Sequence, residues 1–228
     1  MIEEKLNSPF DIPIEQIEDM IGMAINGDLS GYDRVISPRA LKDITNITYF
    51  RGDIFEALIR KISLRDRTNG IIYPYENSKI RVFEREPKGF EIGQTFIMSS
   101  KILSIMNNLE RVVFGRFVTK GISKMPPAQI YGIDREGKKA VAFYIPPLVE
   151  VHGDNAVLID GIHRSYICGS VGTTINAIHI CNVGVKLPFD PLEWENASLM
   201  DEKPPIEKRY VNLNQDLFRD LGAIGVDG

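Results

Sequence analysis

The chain has 228 residues and a formal net charge of −4, with 43% hydrophobic and 25% charged side chains. That is the make-up of a folded globular chain, and it excludes disorder as the main state. The negative balance argues against an unassisted duplex binder, which needs a basic excess to displace counterions. Two cysteines, Cys168 and Cys181, are too few for a disulfide framework, which fits a reducing cytoplasm. The acidic start Met-Ile-Glu-Glu-Lys is unlike a secretory leader, and no apolar run reaches spanning length, so no membrane partner is expected.

In chain order, Ile14, Ile17, Ile21, Ala24 and Ile25 recur at helical spacing between Pro13 and Asn26-Gly27 and predict a first amphipathic helix. A second, capped by Asp53, follows from Ile54, Leu58, Ile59 and Ile62, with Arg60, Lys61, Arg65 and Arg67 on its polar side. Short β-type runs, Ile71 to Tyr73 and Lys79 to Phe83, come next, and Ser99 or Ser100 starts a third helix through Leu109. From Pro127 the pattern turns to period two. Gln129 to Ile133 and Lys139 to Ile145 flank Asp-Arg-Glu-Gly and read as a hairpin; Leu148 to Val151 and Ala156 to Ile159 flank His-Gly-Asp-Asn and read as another. The second hairpin runs into Asp160-Gly161-Ile162-His163-Arg164-Ser165, then a short helix, Val171-Gly172, and a strand from Ile175 to Val183. The fold class expected is mixed α/β: a mainly helical extension over 1–120, a compact core over 121–186 and an acidic, proline-broken arm with one helix over 187–228. Residues 101–144 hold eight basic and three acidic residues, and residues 189–228 hold four and nine.

The Asp160–Ser165 turn is the best candidate for chemistry. A strand-to-helix turn leaves backbone N–H groups unpaired at the positive end of the helix dipole, which suits phosphate. Gly161 permits close approach of backbone, Arg164 offers a planar fork for two oxygens, His163 can donate or move a proton, and Ser165 can cap the helix or bond the anion. Asp160 is the candidate Mg²⁺ ligand or hydroxyl-orienting group. The plain alternative is an Asp-Gly turn with Arg164 paired to Asp160. Glu150 is the candidate carboxylate base, against a reading as a solvated strand residue; Glu76 and Glu84 are unranked alternatives. His152, Cys168, His179 and Cys181 match no metal spacing and read as packing.

Residues 145–183, with Pro146-Pro147, two strands, the Asp-Gly-Ile-His-Arg box, a helix, a glycine and a strand, resemble the core of the ParB/sulfiredoxin superfamily. The resemblance implies a nucleotide site with Gly161, Ile162, His163, Arg164 and Ser165 around the phosphates. Sulfiredoxins have a catalytic cysteine where Ile162 stands, and chromosome-partition ParB proteins have a Gly-Glu-Arg-Arg box and a helix-turn-helix domain that this acidic tail does not match. The box is similar to the Asp-Gly-His-His-Arg of the free serine kinases, with Ile162 in place of the first His. It implies a Mg²⁺-dependent kinase moving a phosphoryl group from ATP or ADP to a small hydroxyl metabolite, with Asp160, His163 and Glu150 as its catalytic candidates. The alternatives are a DNA-associated ParB-like nuclease or nucleotide-gated clamp, supported by the basic 101–144 segment, and a non-catalytic nucleotide sensor. The sequence is compatible with a homo-oligomer.

Overall fold

The computed structural model describes residues 10–68, 70–113 and 124–226. The acidic start and residues 114–123 of the basic segment lie outside the described residues. The strands are β1 (Asp11–Pro13), β2 (Arg34–Ile36), β3 (Leu41–Tyr49), β4 (Ser63–Leu64), β5 (Lys79–Arg85), β6 (Glu91–Ile92), β7 (Phe96–Met98), β8 (Ala128–Asp134), β9 (Lys139–Tyr144), β10 (Leu148–His152), β11 (Asn155–Asp160), β12 (Ile175–Cys181), β13 (Ser198–Met200) and β14 (Arg219–Asp220). Four α-helices accompany them among the described residues: α1 (Ile14–Ile21), α2 (Gly52–Arg60), α3 (Ser99–Val113) and α4 (Ile162–Ser170). The chain is mixed α/β, and none of the described helices is long and apolar enough to cross a membrane.

Two compact units share the chain discontinuously. The first takes residues 1–62, 127–145 and 220–228, and the second takes 63–126 and 146–219. In the first unit the expected β8–β9 hairpin forms and sits inside a five-stranded sheet of order β1-β2-β9-β8-β3. Helix α1 buries Ile14, Ile17 and Ile21 of its expected stripe, and α2 buries Ile54, Leu58 and Ile59 of its own together with Phe55. Each such fully buried side chain stabilises by about 1.5–3 kcal/mol. Helix α1 ends earlier than Asn26-Gly27, because Gly22 takes a left-handed conformation and returns its N–H to the Glu18 carbonyl. Asp53 does not cap α2; Arg51 holds the cap position without a side-chain bond, and Asp53 lies in the first turn paired to Arg51.

The second unit is built on the sheet β5-β12-β10-β11-β6. Its β10–β11 hairpin is antiparallel as expected, with β12 parallel to β10 and β5 antiparallel to β12. Helix α4 joins β11 to β12 and packs on one face of this sheet, where Ile162 and Cys168 meet Phe90, Ile92, Val149, Leu158, Ile175 and Ala177. Residues Ile71 to Tyr73 form no strand. The one helix expected in 187–228 is replaced by short 3-10 turns at Trp194–Asn196, Ile206–Lys208 and Leu221–Ile224, and by Gln215–Leu217, which the Asn214 side chain starts. It goes no further because Phe218 is drawn against Tyr210, with ring centroids 5.2 Å apart, and Arg219 is extended toward a buried acid. The polar, proline-broken composition of 187–219 therefore belongs to a segment packed within the second unit.

Candidate functional site

The Asp160–Ser165 turn forms at the end of β11 because Gly161 alone suits it. Its φ is +89° and ψ is 21°, a left-handed conformation, and an added Cβ would lie 2.8 Å from the ring carbons Cβ and Cγ of Pro147. The first helical hydrogen bond runs from Ser165 N–H to the Gly161 carbonyl at 2.9 Å. The N–H groups of Ile162, His163 and Arg164 thus occupy the positions that a helix leaves without an intrahelical acceptor.

The side chains divide the turn into an inner and an outer part. Ile162 is buried in the core under α4, which accounts for an apolar residue inside a polar box. Ser165 is fully buried and its hydroxyl has no hydrogen-bond partner among the described residues, so it neither caps the helix nor reaches the surface of the turn. The cap position belongs to Gly161, which has no side chain to offer. His163 is half-buried and its Nε2 accepts a bond from the Met98 N–H at 3.1 Å. That fixes the neutral ring as the Nδ1–H tautomer, leaving Nδ1 as its donor. Arg164 Nη2 donates to Asp160 Oδ2 at 2.8 Å, one turn apart, with the two side chains 15% and 11% exposed. The paired reading of Asp160 and Arg164 is the arrangement observed.

Glu150 is neither solvated nor close to this turn. Residues alternate faces along β10, and Val149 points into the core beneath α4, so Glu150 lies on the opposite face. In register it stands across from Val157, while Asp160 stands across from Leu148 at the far end of the hairpin. The carboxylate is fully buried and accepts from Tyr75 Oη at 2.5 Å, from Arg219 Nε at 2.7 Å and Nη2 at 2.8 Å, and shares a 2.7 Å bond with His152 Nε2. Burial alone would raise its pKa. The bond to His152 and the Arg219 charge outweigh that and hold it below the usual carboxylate range. The same pairing keeps Arg219 charged against its own burial, and burial together with the Glu150 charge drives the Tyr75 hydroxyl well above its ordinary value. With every donor around it engaged, Glu150 anchors the chain that carries Arg219 and does not reach the turn as a base.

Glu84 is also occupied, by Lys124 and the Thr174 hydroxyl, whereas Glu76 is exposed. His179 packs edge-on to Phe83 and Phe90, and burial and then Arg85 depress its pKa. Tyr75, His152 and Arg219 were not visible as a group in the sequence: Tyr75 and Arg219 lie 75 and 69 residues from Glu150. The only local signal was His152 two residues beyond an acid on the same strand face. Among the described residues no three His, Cys, Asp or Glu side chains cluster as metal ligands. A Mg²⁺ ion at the turn would depend on Asp160 and on phosphate oxygens arriving with it, a donor set that Mg²⁺ accepts.

No family model fits the chain, and neither a curated protein nor a solved structure matches it.

Proposed function

We propose that the second unit is a ParB/sulfiredoxin-type core that binds the phosphates of ATP or ADP at the Asp160–Ser165 turn, and that the protein transfers a phosphoryl group to a small hydroxyl metabolite. The observation that carries this reading is the left-handed Gly161 hinge between β11 and α4, which leaves the first N–H groups of the helix without intrahelical acceptors in the same short loop that carries His163 and Arg164. His163 would donate through Nδ1, its Nε2 being held by Met98. Arg164 would exchange its bond with Asp160 for phosphate oxygens, and the released Asp160 carboxylate would hold Mg²⁺ or orient the acceptor hydroxyl. Catalysis of this kind is positioning and charge neutralisation. Bound Mg²⁺ would supply further neutralisation of the phosphates.

The test is thermal denaturation with ATP, ADP and CTP, with and without Mg²⁺. A ligand at 100 times its Kd stabilises by about 2.7 kcal/mol. Arg164→Ala should abolish that shift while keeping the melting transition cooperative. The proposal fails if no nucleotide raises the Tm, or if Arg164→Ala keeps the full shift. Release of ADP or AMP when hydroxyl metabolites are added separates a kinase from a sensor.

A further inference from the structure

We propose that the outer strand β5 of the second unit binds single-stranded nucleic acid along the face formed by Lys79, Arg81, Phe83 and Arg85. Among the described residues strand β5 is the edge of its sheet, hydrogen-bonded within it only to β12. Alternation puts residues 79, 81, 83 and 85 on one face and 80, 82 and 84 on the other. All four residues of the first face are exposed, Phe83 by 39%. None of the three cations has a carboxylate partner among the described residues; Arg85 instead lies over the Phe83 ring, its guanidinium carbon 5.8 Å from the centroid. The acid within the strand, Glu84, is on the other face and engaged with Lys124 and Thr174. The ring of Phe83 is braced edge-on by His179, centroids 5.4 Å apart. The result is a fixed, partly exposed aromatic between unneutralised cations.

Three features select the ligand. On a strand Lys79 and Arg81 lie about 7 Å apart and Arg81 and Arg85 about 14 Å apart astride Phe83, so the row extends about 20 Å, which suits the backbone of an extended strand of nucleotides. An exposed ring between the charges offers a stacking platform to an unpaired base, which a duplex does not present. An acidic peptide added along the edge would gain the three cations on one face and meet Glu84 and Glu86 on the other, so it is the poorer complement. The overall charge of −4 does not oppose this, because the field felt close to the row is that of the local cations.

Fluorescence anisotropy of the full chain with a labelled twelve-nucleotide oligothymidine, a duplex of equal length and an oligoglutamate peptide tests the proposal. Three phosphate contacts predict a slope of log K against log salt of about −2, so binding weakens about 16-fold from 50 to 200 mM salt. Arg81→Gln with Arg85→Gln should bring the slope to about −0.7. Phe83→Leu, which keeps an apolar group against His179, should weaken binding about five-fold or more. Circular dichroism and Tm establish that each variant is folded. The proposal is overturned if the oligonucleotide fails to bind at 20 mM salt, if the Gln variant binds it unchanged, or if the duplex or the peptide binds as tightly as the single strand.

Discussion

Replacing Arg219 by Met should be among the most damaging single changes in the second unit. The side chains of Glu150 and Arg219 are 0% and 1% exposed, and Arg219 supplies two of the hydrogen bonds on the carboxylate as well as bonds to the Lys186 and Leu217 carbonyls. Without it an ionised carboxylate remains inside the protein with only Tyr75 and His152 for partners. Breaking a buried pair from one side costs about 3–5 kcal/mol. At about 2–4 °C per kcal/mol for a chain of this size, the Tm should fall by about 6–20 °C. The triple change Glu150→Leu, Tyr75→Phe, Arg219→Met removes the charge with its two buried partners, leaving the half-buried His152, and should recover most of that loss, since a well-packed apolar substitute for a buried ion pair is often neutral or stabilising. Differential scanning calorimetry on the two proteins decides the matter. A fall of less than 2 °C for the single variant, or a triple variant no more stable than the single one, would refute the account of Glu150 as a charge that must be paired.

Acid should unfold the second unit through the same group: the Glu150 carboxyl titrates lower when folded than when unfolded, so its contribution is complete above about pH 4.3 and is lost as pH falls through the folded value. Urea titrations at pH 7, 5 and 3 should show that loss, and the triple variant should show less of it. His179 acts earlier in the same direction, because its depressed pKa means that protonation below about pH 6.5 favours the unfolded chain. His179→Leu should flatten the stability profile between pH 6.5 and 5, and an unchanged profile would show that the buried ring is not what titrates. Gly161→Ala must place a Cβ at positive φ and within 2.8 Å of Pro147, and should cost roughly 1–3 kcal/mol; a Tm equal to that of the parent would mean that the turn can relax.

The β8–β9 and β10–β11 hairpins were legible because strand-forming runs flank Gly-, Asp- and Asn-containing turns and close locally, although nearly every residue of β8 and β9 is buried rather than alternate ones. Strand β3 was hidden by its register. Its pairing with β8 slips between Leu41 and Asp43 and again between Ile44 and Asn46, so Leu41, Ile44 and Ile47 recur every three residues in an extended segment. The glycine hinge at residue 161 was legible because strand, Asp-Gly and helix follow one another without a break from Asn155 to Ser170. Glu150 was misread because a polar residue in a strand looks solvent-facing until its partner is found, and the partner arrives 69 residues later. No local rule reports a contact of that separation.

The interleaved chain sets an order of events during synthesis. The first unit's sheet cannot gain its β8–β9 hairpin before residue 144 emerges, and its buried Leu221, Ile224 and Val226 come later still. The second unit waits for Arg219 to neutralise the acid at its centre. Both units therefore complete their cores only once residues 219–226 have emerged, and a chain cut after residue 218 should fold in lower yield than the 228-residue chain.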